Sequence, residues 1–244
     1  MAKKKSSSGK KGSLGYRLKR GLIIAVAILV LAPVMLVVAG RWINPFTTMF
    51  IVERYVQAWD QGDWDFRAER EWVDWDRISR NLPLAVMSSE DQRFPDHNGF
   101  DWKQVEKAYT DWQDGDRLRG ASTISQQLAK NLFLWSGQSW VRKGLEVPLT
   151  YLIELTWSKQ RILEVYLNVV EFGDGIYGAQ AAALTFYREP ASSLSMSQAA
   201  RMAAVLPNPK KFIVDRPSNY VMSRQRWIVR QMNQLGYGYL DKLH

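Results

Sequence analysis

The apolar positions of the chain follow two regimes. Residues 21–40, GLIIAVAILVLAPVMLVVAG, form one unbroken run without a charge. From residue 83 onward, apolar residues recur every three to four positions, the period of an amphipathic helix. About 20 residues at a rise of ~1.5 Å span the ~30 Å hydrocarbon core of a bilayer, so the first regime predicts a transmembrane helix. Pro33 lies inside it and is tolerated in that setting. The competing reading is a cleaved signal peptide with Val37-Val38-Ala39 as its cleavage region. A buried core helix would be less uniformly apolar.

The second regime predicts a mainly α domain. Pro83 sits near the first turn of a helix ending at Glu90, Phe94-Pro95 breaks it, and Asn98-Gly99 turns the chain. A helix is expected over 101–113, and Gln113 to Gly120, with Gly115 and mixed charges, reads as a mobile loop. From Ser122 to Phe133, Ile124, Leu128 and Leu132 make an apolar face, while Thr123, Gln126, Gln127 and Lys130 cluster on another. Helices follow at 140–157 (Pro148 as a kink), 159–170, 177–187, 195–205 and 219–235, and Gly173, Gly175 and Gly178 mark a turn after Glu171. Residues 41–82 are amphipathic and rich in Trp. There Phe46, Met49, Phe50 and Ile51 either rest at a membrane interface or pack a helix onto the domain. No stretch alternates as a strand does, and no 20–50-residue repeat appears.

Charge changes the picture mainly by its position. Residues 1–20 carry eight Lys and Arg and no acid, which leaves about +1 of the net +9 for the rest of the chain. The basicity belongs to a tail expected to be disordered, and no nucleic-acid face is implied. That tail also sets orientation: it places residues 1–20 in the cytoplasm and 41–244 across the membrane. The chain has no Cys and only two His, His97 and His244, so thiolate chemistry and multi-His zinc sites are excluded. Proton transfer falls to Asp, Glu, Lys or Tyr.

Candidate chemistry concentrates between Glu90 and Glu146. Glu90 ends an apolar helix turn beside a loop, where partial loss of water makes a carboxylate a better general base. The alternative is a solvated Glu at a helix end. Thr123, Gln126, Gln127 and Lys130 offer amides and one ammonium for sugar hydroxyls and a phosphate oxygen. Arg142 and Lys143 can cradle a diphosphate, with Glu146 at the edge. The alternative there is an i, i+4 surface ion pair worth a few tenths of a kcal/mol. His97 reads as a structural hydrogen-bonding residue, Glu164 and Glu171 as local ones, and Ser7-x-x-Lys10 is set aside because it lies in the tail.

These stretches together resemble the peptidoglycan glycosyltransferase family. The form E-D-x-x-F-x-x-H-x-G is met by Glu90, Asp91, Phe94, His97 and Gly99, and G-x-S-T-I-x-Q-Q-L-x-K-N runs from Gly120 to Asn131. R-K-x-x-E is met by Arg142, Lys143 and Glu146, K-x-x-I-L-E-x-Y-L-N by Lys159 to Asn168, and a Leu-Pro-x-Pro ending by Leu206 to Pro209. The resemblance implies a lysozyme-like helical fold and polymerisation of lipid II into β-1,4 glycan strands with inversion and release of undecaprenyl diphosphate. It implies Glu90 as general base and Glu146 as a second essential carboxylate. It also implies Thr123, Gln126, Gln127, Lys130, Arg142 and Lys143 as substrate-binding residues. Mg2+ or Mn2+ is allowed by phosphate chemistry, with no dedicated metal cage in the sequence. Implied partners are lipid II, the growing strand, the bacterial inner membrane and other cell-wall synthesis or division proteins. The loop near 100–120 and residues 46–51 are expected against the lipid tail. Family members often carry a basic residue shortly before the third motif, whereas Ser136-Gly137-Gln138-Ser139 has none. Only about 35 residues follow Pro209 and no Lys-Thr-Gly occurs, so a polymerase without transpeptidase activity is expected. Two rivals stay open: a lysozyme-like glycan hydrolase, and a membrane-anchored scaffold without catalysis.

Overall fold

The computed structural model describes residues 14–113 and 122–243. Ser7, Lys10 and most of the basic tail, and the loop expected to be mobile with Gly120 of the second motif, lie outside the described residues. The chain folds as a succession of helices: α1 (Leu14–Gly40), α2 (Met49–Asp60), α3 (Asn81–Glu90), α4 (Trp102–Gln113), α5 (Ile124–Phe133), α6 (Trp140–Thr156), α7 (Lys159–Val169), α8 (Ala179–Tyr187), α9 (Met196–Val205) and α10 (Asn219–Leu235).

Most starts are written locally. Thr48, Ser139, Ser158 and Ser218 each accept the third backbone N–H of the helix they precede, and Thr123 and Ser195 form full capping boxes with Gln126 and Gln198. These side chains satisfy N–H groups that a helix start leaves unpaired. Pro148 lies inside α6, which runs on to Thr156.

The core lies between α3, α9 and α10. Leu82, Leu84, Ala85, Val86 and Met87 of α3 are wholly buried. Ala199, Ala200, Ala203 and Ala204 of α9 are equally buried, and their small side chains let the two helices approach closely. α5 packs between α6 and α7, which places the second, third and fourth motifs around one region.

A small sheet departs from the all-helical expectation. β1 (Glu69–Arg70), β2 (Glu171–Gly173) and β3 (Ile176–Tyr177) pair in the order β1-β3-β2, with β1 parallel and β2 antiparallel to β3. Strands of two or three residues carry too little alternation to be read from sequence. Gly178, which follows β3, has φ +86, and a Cβ there would lie 2.6 Å from the Asn168 carbonyl oxygen, so only glycine fits.

α1 contains the whole uncharged run and ends docked on the domain. The Trp157 indole donates to Val37 O at 2.7 Å. The Arg161 guanidinium donates to Gly40 O at 3.1 and 3.0 Å, to Ile43 O at 3.2 Å and to Asn44 Oδ1 at 2.9 Å. These bonds replace the partners that a helix C-terminus lacks. Among the described residues no helix is long and apolar enough to cross a membrane. The side chains of Val26, Leu29 and Val30, in the middle of the run, fall outside that description.

Candidate active site

The first and second motifs are tied to each other through Asp91. Its carboxylate accepts the Ile124 N–H at the start of α5 at 3.1 Å and meets His97 Nε2 at 3.0 Å. A carboxylate is favoured at a helix N-terminus, where unpaired N–H groups point outward. His97 is buried and serves this packing, as its sequence position implies. Glu90, one residue earlier, is thereby held beside the first turns of α5.

Both oxygens of Glu90 have neutral donors. Oε1 accepts from Ser89 Oγ at 3.1 Å and Oε2 from Gln127 Nε2 at 3.0 Å. A cleft of about 240 Å3 opens alongside, lined by Glu90 with Ser89, Asp101, Gln104, Ser122 and Trp227.

Glu146 stands in a different environment. It is 2% exposed, and its two oxygens are taken by cations: Arg142 Nη1 at 2.8 Å and Lys143 Nζ at 2.5 Å. The surface ion pair weighed from the spacing is instead a buried carboxylate gripping two cations from the first turn of α6. Lys130 completes the group. Burial lowers its pKa, Glu146 and Glu90 oppose that shift, and Arg142 and Lys143 add to it. Its ammonium also lies 5.4 Å from the centre of the Phe50 ring. Lys130 therefore senses both carboxylates, and so links Glu90 to the cationic group. The connection before α6 adds no further cation; Arg142 Nε binds Gly137 O there at 2.7 Å.

Thr123 and Gln126 are placed differently from the contact face that helical spacing predicts. Thr123 is the residue before α5, 2% exposed, and its hydroxyl donates to Gly99 O at 2.6 Å and accepts from Gln126 N at 3.2 Å. Gln126 turns its carbonyl back to Thr123 N at 3.0 Å. Both side chains are engaged in starting the helix, because its first N–H groups have no other partners. Gln127 instead turns to Glu90.

Three contributors were not singled out from sequence. Ser89 had no pattern to mark it. Tyr166 was the Tyr of the fourth motif with no role given to it, yet its hydroxyl donates to Gln127 Oε1 at 2.8 Å. A phenol among wholly apolar neighbours was the available signal, since a buried hydroxyl needs a partner. Arg224 of α10 reaches Ser89 O at 3.0 Å from more than a hundred residues away, and nothing local announces it.

The donor set does not suit a resident divalent ion. Among the described residues no cluster of three or more His or acidic side chains could hold one, and both Glu146 oxygens are already engaged by cations.

A mainly helical domain that holds one carboxylate by neutral donors, with Lys130 coupled to it and to a second, cation-paired carboxylate, fits a group-transfer enzyme. Residues 59–233 match the family model described as Transglycosylase. A relative from Yersinia pestis named biosynthetic peptidoglycan transglycosylase is 54% identical over 228 residues, covering 91% of this chain and 91% of its own. Relatives of the same name from Xanthomonas axonopodis pv. citri and Chromohalobacter salexigens are 52% and 50% identical, covering 89% and 93% of this chain and 88% and 98% of theirs. The chain belongs to the peptidoglycan transglycosylase family and is a glycosyltransferase of peptidoglycan synthesis.

Proposed function

We propose that the chain polymerises lipid II into β-1,4-linked glycan strands by single inverting displacement. The observation that carries this reading is the contrast between the two acidic residues. Among the described residues Glu90 is hydrogen-bonded by Ser89 and Gln127, both neutral, and is not paired with a cation. Glu146 is neutralised by Arg142 and Lys143, and so organises charge.

Glu90 removes the proton from the C4 hydroxyl of the acceptor lipid II. That oxygen attacks the anomeric carbon of the growing strand, and the bond from this carbon to the undecaprenyl diphosphate oxygen breaks. The electron pair leaves on the diphosphate, and Lys130, Arg142 and Lys143 stabilise the charge it gains. The reaction is analogous to that of an inverting glycosidase, with a sugar hydroxyl in place of water. Gln127 holds Glu90, while Thr123 and Gln126 keep the start of α5 in register with it.

Residues 1–20 lie in the cytoplasm, 21–40 span the inner membrane, and 41–244 form the periplasmic catalytic domain. The uncharged run inside α1 and the exposed Trp42, Ile43 and Phe46 just after it support this placement. Lipid II cannot leave the bilayer, so a membrane anchor raises the effective concentration of enzyme and substrate. Neighbouring cell-wall synthesis or division proteins are natural partners there.

The test is polymerisation of labelled lipid II by the full chain in detergent. Wild type is expected to yield glycan strands, and Glu90→Gln to lose at least ~100-fold in rate, the usual worth of a general base. Activity retained by Glu90→Gln would exclude it as the base. Release of fragments from finished peptidoglycan, without polymer from lipid II, would favour the hydrolase.

A further inference from the structure

We propose that Tyr166 and Arg224 are positioning residues for the reaction, fixing both oxygens of Glu90 through Gln127 and Ser89. The inference rests on the reading of Glu90 as general base.

Two hydrogen-bond chains converge on one carboxylate from different helices. On one side the Tyr166 hydroxyl of α7 donates to Gln127 Oε1 at 2.8 Å, and Gln127 Nε2 donates to Glu90 Oε2 at 3.0 Å. On the other, Arg224 Nη2 of α10 donates to Ser89 O at 3.0 Å and to Ser89 Oγ at 3.4 Å, while that Oγ donates to Glu90 Oε1 at 3.1 Å. The Arg224 guanidinium is itself stacked 4.2 Å from the Trp227 ring centre.

The first chain has a fixed polarity. An amide flipped by half a turn would set its carbonyl oxygen against the carboxylate. Tyr166 is wholly buried, and burial, reinforced by Glu90 and Asp91, holds its phenol well above the ordinary pKa. The phenol therefore keeps its proton and donates it to the amide oxygen. That leaves the NH2 facing Glu90 and no freedom to flip. The second chain fixes the Ser89 oxygen rather than its polarity, because an arginine can only donate.

The device orients Glu90 with neutral donors and keeps the arginine one residue removed. A cation placed directly on the carboxylate would favour its charged form more strongly and weaken it as a base. Among the described residues, the titratable and charged groups around Glu90 are Asp91 beside it, Asp101 in the same cleft with its partner Arg93, Lys130 on α5, Tyr166 on α7 and, through Ser89, Arg224 on α10. Neither Tyr166 nor Arg224 touches substrate in this role; each acts through its neighbour.

The experiment compares the full-length wild type with Tyr166→Phe, Ser89→Ala, Arg224→Gln and Glu90→Gln on labelled lipid II across pH, with thermal melting of each. Tyr166→Phe removes one oxygen and frees the amide. It is expected to lower kcat about tenfold, with KM changed less than about twofold, as for a lost transition-state interaction. The acidic limb of its kcat/KM profile moves to higher pH, because Glu90 loses a donor to its charged form. Arg224→Gln gives a smaller shift in the same direction. A structural role alone would lower the melting temperature and leave the limb in place. Should Tyr166→Phe lose the fold, Ser89→Ala carries the test with the same expected limb shift. Profiles superimposable on wild type, beside an inactive Glu90→Gln, overturn the positioning role and leave the base intact. An active Glu90→Gln overturns both.

Discussion

Lys130 is the cation whose charge burial puts at risk. Its lowered pKa means that the folded protein binds fewer protons than the unfolded chain between that value and the ordinary 10.5. Through that window stability gains from rising pH. On the role proposed for Lys130, the ammonium is lost over the same window and leaving-group stabilisation falls as the fold gains. The alkaline limb of kcat/KM should therefore begin below pH 10.5, set by Lys130. Lys130→Arg is expected to push that limb upward even if the rate at neutral pH drops, because a guanidinium keeps its proton throughout. A limb unmoved by Lys130→Arg would assign it to another group. At this scale the sequence told much. Glu90, Lys130, Arg142, Lys143 and Glu146 could be put forward as candidates from sequence, because a motif records which residue types sit at which spacing. Arg224 could not, because it meets Ser89 from another helix.

Helix α5 carries the site as a single element. Thr123 starts it, Gln127 meets Glu90 one turn on, and the charge of Lys130 a turn later is coupled to Glu90, Glu146, Arg142 and Lys143. Thr123→Ala would remove both the cap and the bond to Gly99 O. The expected cost is about 1–2 kcal/mol of stability by denaturant titration. Polymerisation should fall with it, because Gln127 and Lys130 move with the first turn. Normal activity at lowered stability would separate the cap from the site. The helices were readable because their apolar period and their Ser or Thr starts are local features. The capping box of Thr123 and Gln126 has a reason also local, the unpaired N–H groups of the first turn. The short sheet escaped, since two-residue strands are defined by their partners.

At the scale of the molecule, α1 continues directly into the catalytic domain. Trp157 and Arg161 take the carbonyls at its end, and a Cβ on Gly40 would fall 2.5 Å from the Trp157 ring. The contact fixes how the helix leaves the domain, and with it how the cleft faces any membrane that α1 enters. Arg161→Ala should speed hydrogen exchange at the amides of residues 41–43, which close the last turn onto Val38 and Ala39. Amides in α9 should be unaffected. Unchanged exchange at 41–43 would show that Trp157 alone suffices.

The sequence by itself determined the order of helices, the uncharged run at 21–40, the family and the residue types of the site. Each of these depends on neighbours a few positions away or on a spacing along one helix. The spacing of Arg142, Lys143 and Glu146 on one helix already pairs them, and the tertiary structure alone decided that Glu146 is buried and that Gln127 meets Glu90 from another helix. It also brought Tyr166 to Gln127 and Arg224 to Ser89 from separate helices, behind the two donors of Glu90. Burial and the contacts between helices are properties of side chains that meet from distant parts of the chain, and no local pattern encodes them.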